Sequence, residues 1–575
     1  MAGIQVNHCK TPGCKQFGIA PLDPGWDPQL PGYKVQVHEF TPTIRCLACD
    51  RFSSTKSNHG IAEELERITV AHHPPAPSCP TSGCENQPHP APDHSRYHRF
   101  GTTTHGSARF RCKRCKRTFT VPKTATVRQR RPELNEPIFR KLVNKAPMRR
   151  LCEELEISPA VLYNKIDYIH RQCVRYSQDV ERRLEGSRHL KRLYLSSDRQ
   201  DYVFNWGSQF DRTNVTLHAT GTADNISGYV FGMHLDFDPD VQPEIVEKLA
   251  RAAGDLAKPI HERKFARLFL LSDYDSNRTL KLRVRHAQKK GQAGPLSQQY
   301  AAELARRAAI GEQGPVPVEE QPLEPPGKLP PNGMQVRSDY SMFAHFHHLQ
   351  RLIGQAGKVR FFMDMDPGIL SAAIAAFRDK FKAGDADAFY IKIMKQMTVQ
   401  QKKNAVSLGQ RPLSEYLDAH PEISRAEARH RLLMATLNQR FPDGKFGGSW
   451  IAHPFPDMSE PDKQIQYCTD QGAYDADHLA RLLLRASLHA IDRYFMLVRR
   501  RINMFERPIR TSNRGLRSWY GYQGYNPAVG AKLLEIFRIY YNCVKRGEDG
   551  KTPAMRLGIA GVPATYGDVL QHLPG

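Results

Sequence analysis

No run of apolar residues in this chain is long enough to cross a bilayer, and its N-terminus lacks the apolar core of a secretory signal. No lipidation motif or basic amphipathic helix takes their place, so a membrane partner is not expected. A phosphate-cradling P-loop is also missing, which leaves ATP use unsupported. No nucleophile stands in a recognisable pairing with histidine, so covalent catalysis has no footing either. Acid is scarce: 83 lysines and arginines outnumber 59 aspartates and glutamates, for a formal charge of +24. That excess points to a polyanionic partner, most commonly nucleic acid.

What is present is length and cysteine. At 575 residues, 40% of them hydrophobic, the chain can bury several cores. Its mean hydropathy of −0.56 is that of a soluble globular protein. Eight of the 12 cysteines fall before residue 116, in the pairs Cys9/Cys14, Cys46/Cys49, Cys79/Cys84 and Cys112/Cys115. Without an export signal, thiols stay reduced, and paired thiols read as zinc ligands before disulfides. CKTPGC and CPTSGC share one spacing, and IRCLACDRF is echoed by FRCKRCKRTF, so residues 1–120 hold an internal repeat. Taken in order, the pairs form two sites of four thiolates, each with one structural Zn²⁺ on which its small ribbon depends for folding. Cys152, Cys173, Cys468 and Cys543 are scattered among apolar neighbours and read as inert core residues.

From Arg109 to Pro132 there are ten basic residues and no acid. A solvated charged face mixes signs, so Arg109, Arg111, Lys113, Arg114, Lys116 and Arg117 are expected to follow a phosphate backbone. Phe110 and Phe119 flank the ligands as packing residues. Residues 137–173 then read as short helix, tight turn and second helix, with Ser158 as cap and Pro159 at the first turn. In that helix-turn-helix, Val161, Leu162, Ile166 and Ile169 face inward, while Tyr163, Asn164 and Lys165 are offered to a major groove.

Further on, LKRLYLSSDRQ is a strand expected to end at Asp198. VTLHA and SGYVFGMHL follow as a hairpin turning at Asp224-Asn225 and Gly228. Residues 240–310 read as helical and charged, and Gly311–Gly333 as a Pro/Gly-rich linker. A helix over 340–356 leads into VRFFMDMDPGILSAAIAAF, a buried strand that stops on Asp364 and Asp366 and hands over to an amphipathic helix. ADAFYIKIMK is a further strand. Three strands, a helix, a strand ending in acid, a helix and a strand match a ribonuclease-H-like core. Within the insertion, LFLLSDYD makes Asp273 or Asp275 a weaker competitor for a strand-end acid. Residues 396–474 read as a second insertion of mixed helix and loop, with Trp450 as core filling.

From Asp477 a long helix is expected to reach about Arg507, putting Arg499, Asn503, Glu506 and Arg510 on one face. Eight arginines lie between Arg493 and Arg517, with Glu506 as the one acid. Asp198, Asp364 and Glu506 make a set of carboxylates suited to Mg²⁺ or Mn²⁺. Two such ions support in-line displacement at phosphorus, with arginines such as Arg499 and Arg510 holding the DNA backbone.

RFRCKRCKRTFTV followed by a helix-turn-helix resembles the N-terminal region of bacterial insertion-sequence transposases of the DDE type. VRFFMDMDPGILSAAIAAF is similar to the second-aspartate motif of Mutator-like and related transposases. In that motif the first acid of the D-x-D pair is the ligand, which favours Asp364 over Asp366. INMFERPIRTSNRGLRSW resembles the region of the third acid, and FRIYYNCVKRGEDGKTPAMRLGI the transposase ending. The resemblance implies DNA cleavage that frees 3′-OH ends, then their transfer into target DNA. It also implies a partner in double-stranded DNA (element ends and target), self-association into a homo-oligomer, and a cytoplasmic, nucleoid-associated location. The doubled ribbon and the insertion between the first two acids depart from the family pattern.

The resulting expectation is a multidomain α+β and α/β protein. It has zinc ribbons over 1–72 and 73–132 and a helix-turn-helix over 133–185. A ribonuclease-H-like mixed-sheet core covers 186–395 and 475–545, with insertions over about 240–340 and 396–474 and a tail over 546–575. Two rivals share these features: a non-catalytic, zinc-dependent DNA-binding regulator, and a structure-selective nuclease.

Overall fold

The computed structural model describes residues 3–20, 32–38, 41–72, 77–127, 129–184, 190–204, 206, 215–274, 329–394, 397–442, 449–506, 509–510, 518–519 and 524–573. They fall into two compact units. The first comprises Met1–Leu65, Ser187–Met496 and Arg510–Ser518, and the second Glu66–Gly186, Leu497–Ile509 and Trp519–Gly575. Among the described residues no helix is long and apolar enough to cross a membrane.

The first unit begins with a small antiparallel sheet of β1 (Tyr33–His38), β2 (Thr41–Cys46) and β3 (Phe52–Ser54). The second unit has its counterpart in β4 (Tyr97–Thr102), β5 (Ala108–Cys112) and β6 (Thr118–Val121). The centre of the first unit is a mixed sheet of eight strands. Strands β7 (Arg192–Phe204), β8 (Val215–Asp224) and β9 (Val230–Leu235) form an antiparallel meander. Its second turn is held by Asp224, whose Oδ2 accepts from the Ser227 N–H and hydroxyl at 2.7 Å, and by Gly228 at φ 75°. The short pair β10 (Phe237–Asp238) and β11 (Met334–Gln335) lies outside the main sheet.

Strand β12 (Lys358–Asp364) lies parallel to β7, and β13 (Ala386–Ile393) lies parallel to β12. Val359, Phe361, Phe362 and Met363 are fully buried, as a strand covered on both faces requires. Asp366 caps the Pro367–Ala376 helix that crosses to β13, its Oδ1 accepting from Gly368 N at 2.8 Å. The Ser338–Ile353 helix covers the sheet, with Phe346 edge-on to Phe361 at 5.9 Å.

Five expectations change. β7 does not stop at Asp198 but runs on to Phe204, because β8 goes on pairing with it after β12 has ended. The 396–474 segment does more than form loops. After the Val399–Ala419 and Arg425–Thr436 helices it adds β14 (Phe441–Pro442), β15 (Ser449–Ala452) and β16 (Lys463–Tyr467), so the strand order is β14-β15-β16-β13-β12-β7-β8-β9. In the 240–340 insertion, residues 275–328, including Asp275 and most of the Pro/Gly-rich linker, lie outside the described residues. The LFLLSDYD segment is no strand there, and Asp273 is engaged by Arg263 at 2.9 Å and Arg337 at 2.7 Å.

The fourth change is the long helix. It is two helices, Ala476–Leu483 and His489–Arg501, followed by a 3-10 turn at Asn503–Phe505. The buried Glu460 carboxylate breaks it by accepting from Ser487 Oγ and Leu488 N. At its end the Lys145 N–H takes the Arg501 carbonyl at 2.7 Å, and Ile502 turns extended. Arg499, Asn503, Glu506 and Arg510 therefore do not share a helical face; Arg510 lies in a two-residue strand.

The first ribbon is fixed to its own unit by buried ion pairs. Lys56 meets Asp339 at 2.5 Å, and Arg267 meets Glu64 at 3.1 Å and Asp238 at 2.6 Å. In the second unit, the Asn135–Leu142, Met148–Glu154 and Pro159–Glu181 helices assemble with the Pro527–Ile539 helix. Residues 519–545, grouped by sequence with the mixed-sheet core, belong to this unit. The buried Arg538 joins Glu181 at 2.6 Å and Glu535 at 2.7 Å.

Candidate metal and nucleic-acid sites

The two cysteine sets are assembled as their spacing implies. In the first ribbon, Cys9 Sγ lies 3.5 Å from Cys49 Sγ, and Cys14 Sγ lies 3.7 Å from Cys46 Sγ. In the second, Cys79 and Cys115 are 3.3 Å apart, and Cys84 and Cys112 are 3.9 Å apart. Within each set all four sulfurs lie within 4.8 Å of one another. A tetrahedral zinc with Zn–S bonds of about 2.3 Å separates its sulfurs by about 3.8 Å, whereas a disulfide needs about 2.05 Å. Both sets therefore fit zinc and neither fits a disulfide.

Both hairpin knuckles are built alike. The residue after the second cysteine, Asp50 or Lys116, adopts a left-handed conformation and donates its N–H back to the carbonyl of Cys46 or Cys112. The exposed Cys115 thiol is drawn down to about 6, chiefly by the Thr81 hydroxyl and then the Arg117 N–H. Burial instead pushes Cys79 up to about 12.

A tyrosine in each ribbon repeats as well, and the cysteine pattern alone does not disclose it. Tyr33 pairs with Cys46 and Tyr97 with Cys112 across the first two strands. Each phenol accepts from the N–H of the first cysteine, Cys9 at 3.0 Å and Cys79 at 3.3 Å, and donates into the loop after the first cysteine pair. Tyr33 follows its first cysteine by more residues than Tyr97 does, so no constant offset signals the pair in sequence.

The basic stretch maps onto the second ribbon. Tyr97, Phe110 and Cys112 face the ribbon core, with Phe119 packed on Tyr97 at 5.1 Å and on Phe110 at 6.1 Å. Arg109 and Arg111 alternate with these on β5 and share the opposite face. Arg111, Arg114, Lys116 and Arg117 are exposed, and Arg109 and Lys113 half-buried. Some of these side chains have protein partners: Lys113 Nζ donates to the His94 carbonyl at 2.6 Å, and Arg114 meets Glu85 at 3.3 Å.

On the Pro159–Glu181 helix, Ser158 Oγ accepts from Val161 N at 3.4 Å as the cap. Tyr163 and Asn164 are exposed at its first turns, and so is Val161, which was expected to face inward. Lys165 overturns its expected groove role. It is 4% exposed, and its Nζ donates to the carbonyls of Arg130 and Arg131 at 2.8 and 2.7 Å. It lies three residues after Leu162 and just before Ile166, on the stripe that faces the core.

Of the three carboxylates, two are brought together. Met363 on β12 stands opposite Ser197 on β7, so the next residues, Asp364 and Asp198, sit side by side where β12 ends. Neighbours in register on parallel strands point to the same face. Asp366 is otherwise engaged, as helix cap and as partner of Arg199 at 3.6 Å. Burial works against the charge on Arg199, but Asp366, Asp201, Asp236 and Asp198 outweigh it and raise its basicity. Arg199 also donates to Ser338 Oγ at 3.2 Å. Glu506 belongs to the second unit, where it follows the 3-10 turn in extended conformation and meets Lys145 at 2.7 Å.

No family profile, curated protein or solved structure matches the chain.

Proposed function

We propose that this protein is a DDE-type DNA transposase with a ribonuclease-H-like core, holding two structural Zn²⁺ and a pair of catalytic Mg²⁺ or Mn²⁺. One observation carries the reading: the register that sets Asp364 beside Asp198 on adjacent parallel strands, in a sheet whose inner order is β9-β8-β7-β12-β13. The open end of such a sheet is where α/β folds place ligands. Two carboxylates presented to one face there, with the cap-bound Asp366 set aside, form a donor set suited to hard divalent cations. Glu506, the third acid of the sequence pattern, belongs to the second unit and is engaged there by Lys145, so the locus described is the Asp198–Asp364 pair. When bound, such ions polarise a phosphodiester and offset the charge that builds on it.

The chain's own groups have separate tasks. Asp198 and Asp364 hold the acidic locus, and Arg199 balances the neighbouring acids. The second ribbon, the exposed first turns of the Pro159–Glu181 helix, and Arg499 and Arg510 bind double-stranded DNA, element ends and target alike. Self-association brings two ends together.

The test is a strand-transfer assay on DNA carrying the element's own ends. Joining that requires Mg²⁺ and disappears in Asp364→Ala, while DNA binding persists, is the expected result. Cutting without joining would instead indicate a structure-selective nuclease. Binding with no metal-dependent chemistry would leave a zinc-dependent regulator.

A further inference from the structure

The outer face of the second ribbon carries an aromatic group that the basic stretch does not account for. Phe100, on β4, is 45% exposed. The guanidinium carbons of Arg109 and Arg111 each lie 5.6 Å from the centre of its ring. The rest of that face follows from register: His98 opposite Arg111, Arg111 opposite Thr118, and Arg109 opposite Thr120. All of them except the half-buried Arg109 are exposed. One step beyond the Arg99–Phe110 pair, the same register sets Phe100 across from Arg109 and diagonal to Arg111.

An exposed phenylalanine is not needed to fill this ribbon. Its core is closed on the other face by Tyr97, Phe110, Phe119 and Cys112. No acid occurs between Asp93 and Glu133, so the face has no negative partner of its own in sequence. An aromatic ring between two cations on a flat, acid-free face has the composition of a single-strand platform. A base stacks on the ring or on the adjoining guanidinium planes, and the arginines follow the backbone. A face for duplex backbone alone needs the cations but not the ring.

We propose that the Phe100–Arg109–Arg111 face binds unpaired DNA bases, with Phe100 as the stacking platform and the two arginines on the flanking phosphates. The inference deepens the nucleic-acid reading of this ribbon and rests on it. Two residues along a strand advance about 6.8 Å, so Arg109 and Arg111 can meet neighbouring phosphates of one strand.

The test uses the full-length, zinc-loaded chain with two probes, a labelled dT20 oligonucleotide and a 20-base-pair duplex, each titrated over a range of salt. Phe100→Ala is expected to weaken dT20 binding about tenfold and leave the salt slope and duplex affinity unchanged. Phe100→Trp should restore dT20 binding, and zinc content should stay at two per chain in both variants. Arg109→Ala with Arg111→Ala should flatten the salt slope for dT20 by about 1.4. Equal loss on dT20 and duplex in Phe100→Ala, or no loss on either, would overturn the proposal. Failure of the unmodified chain to bind either probe would overturn it together with the DNA reading. Absence of strand transfer alone would leave it standing.

Discussion

Lys165 offers a test in which the helix-turn-helix pattern and the folded chain disagree about one side chain. In a groove, Lys165→Met would remove a phosphate or base contact and lower the salt slope of duplex binding by about one. In the fold described here its ammonium is buried and holds the carbonyls of Arg130 and Arg131. Hydrogen bonds to a charged group are worth about 1.5–3 kcal/mol each. Arg130 and Arg131 are themselves exposed, so water can replace part of what is lost. Methionine keeps the apolar stem. The net cost should therefore be about 2–3 kcal/mol, nearer one strong bond than two. Arg131 adds a reason for the tether, since it sits at φ 51°, a conformation that a non-glycine residue adopts reluctantly. Denaturant unfolding of Lys165→Met should show that loss at an unchanged m-value, and the salt slope for duplex should not move. Asn164→Ala should do the reverse, weakening duplex binding without loss of stability. Unaltered stability in Lys165→Met with a slope lowered by one would refute the buried-tether account.

Chelation should release two zinc ions per chain, and Cys112→Ser should reduce the content to one, read by metal analysis of the purified protein. Because structural zinc contributes about 10–16 kcal/mol in small ribbons, the second ribbon of that variant should become protease-sensitive. Arg267→Met should destabilise the first unit by about 3–5 kcal/mol, since it strands the buried Glu64 and Asp238; thermal unfolding and proteolysis near residue 65 would report it. His345 is buried beside Thr222 Oγ1 at 2.8 Å and His234 Nδ1 at 2.9 Å, and burial holds its pKa down to about 3. Its folded value lies below the unfolded 6.5, so the unfolded chain takes up the proton first. The stability this provides is full above about pH 6.5 and is lost as pH falls toward 3, by about 2 kcal/mol at pH 5. His345→Gln should make acid unfolding shallower over that window; an identical pH profile would contradict the assignment.

What could be read from sequence follows the distance over which each feature is encoded. The cysteine sets were legible because C-x4-C and C-x2-C place two ligands each within one turn, and the repeat supplied the pairing. The strand ending at Asp364 was legible because β-branched and aromatic residues, acid and proline follow one another directly. Tyr33 and Tyr97 were not, because each is recruited by a loop of different length. Lys165 was misjudged because a charged residue was assigned to solvent, whereas its position on the inward stripe gives it two backbone carbonyls to meet. The uninterrupted helix to Arg507 failed for a related reason. Leu479, Leu482, Leu483, Phe495 and Val498 are buried along it, but Glu460 and the Lys145 N–H, both remote in sequence, compete for its backbone at Ser487–Leu488 and Arg501.

The same contrast bears on the acidic locus. An acid at a strand end is a local pattern, and Asp364 and Asp273 both have it in sequence. The fold separates them by what surrounds each. Asp273 sits between Arg263 and Arg337, two basic partners within 2.9 Å, which satisfies its charge inside the protein. Asp364 stands beside a second carboxylate, Asp198, while the neighbouring Arg199 meets Asp366 at 3.6 Å and also feels Asp198. Two carboxylates side by side repel unless a cation joins them, so on the proposed reading the Asp198–Asp364 strand end is where a divalent cation would bind. Replacing Asp198 with asparagine relieves that repulsion. The change should leave stability unaltered or raise it while abolishing strand transfer, whereas Asp273→Asn should cost stability by leaving two arginines without their acid. A stability loss in Asp198→Asn as large as that in Asp273→Asn would mean that both acids are structural.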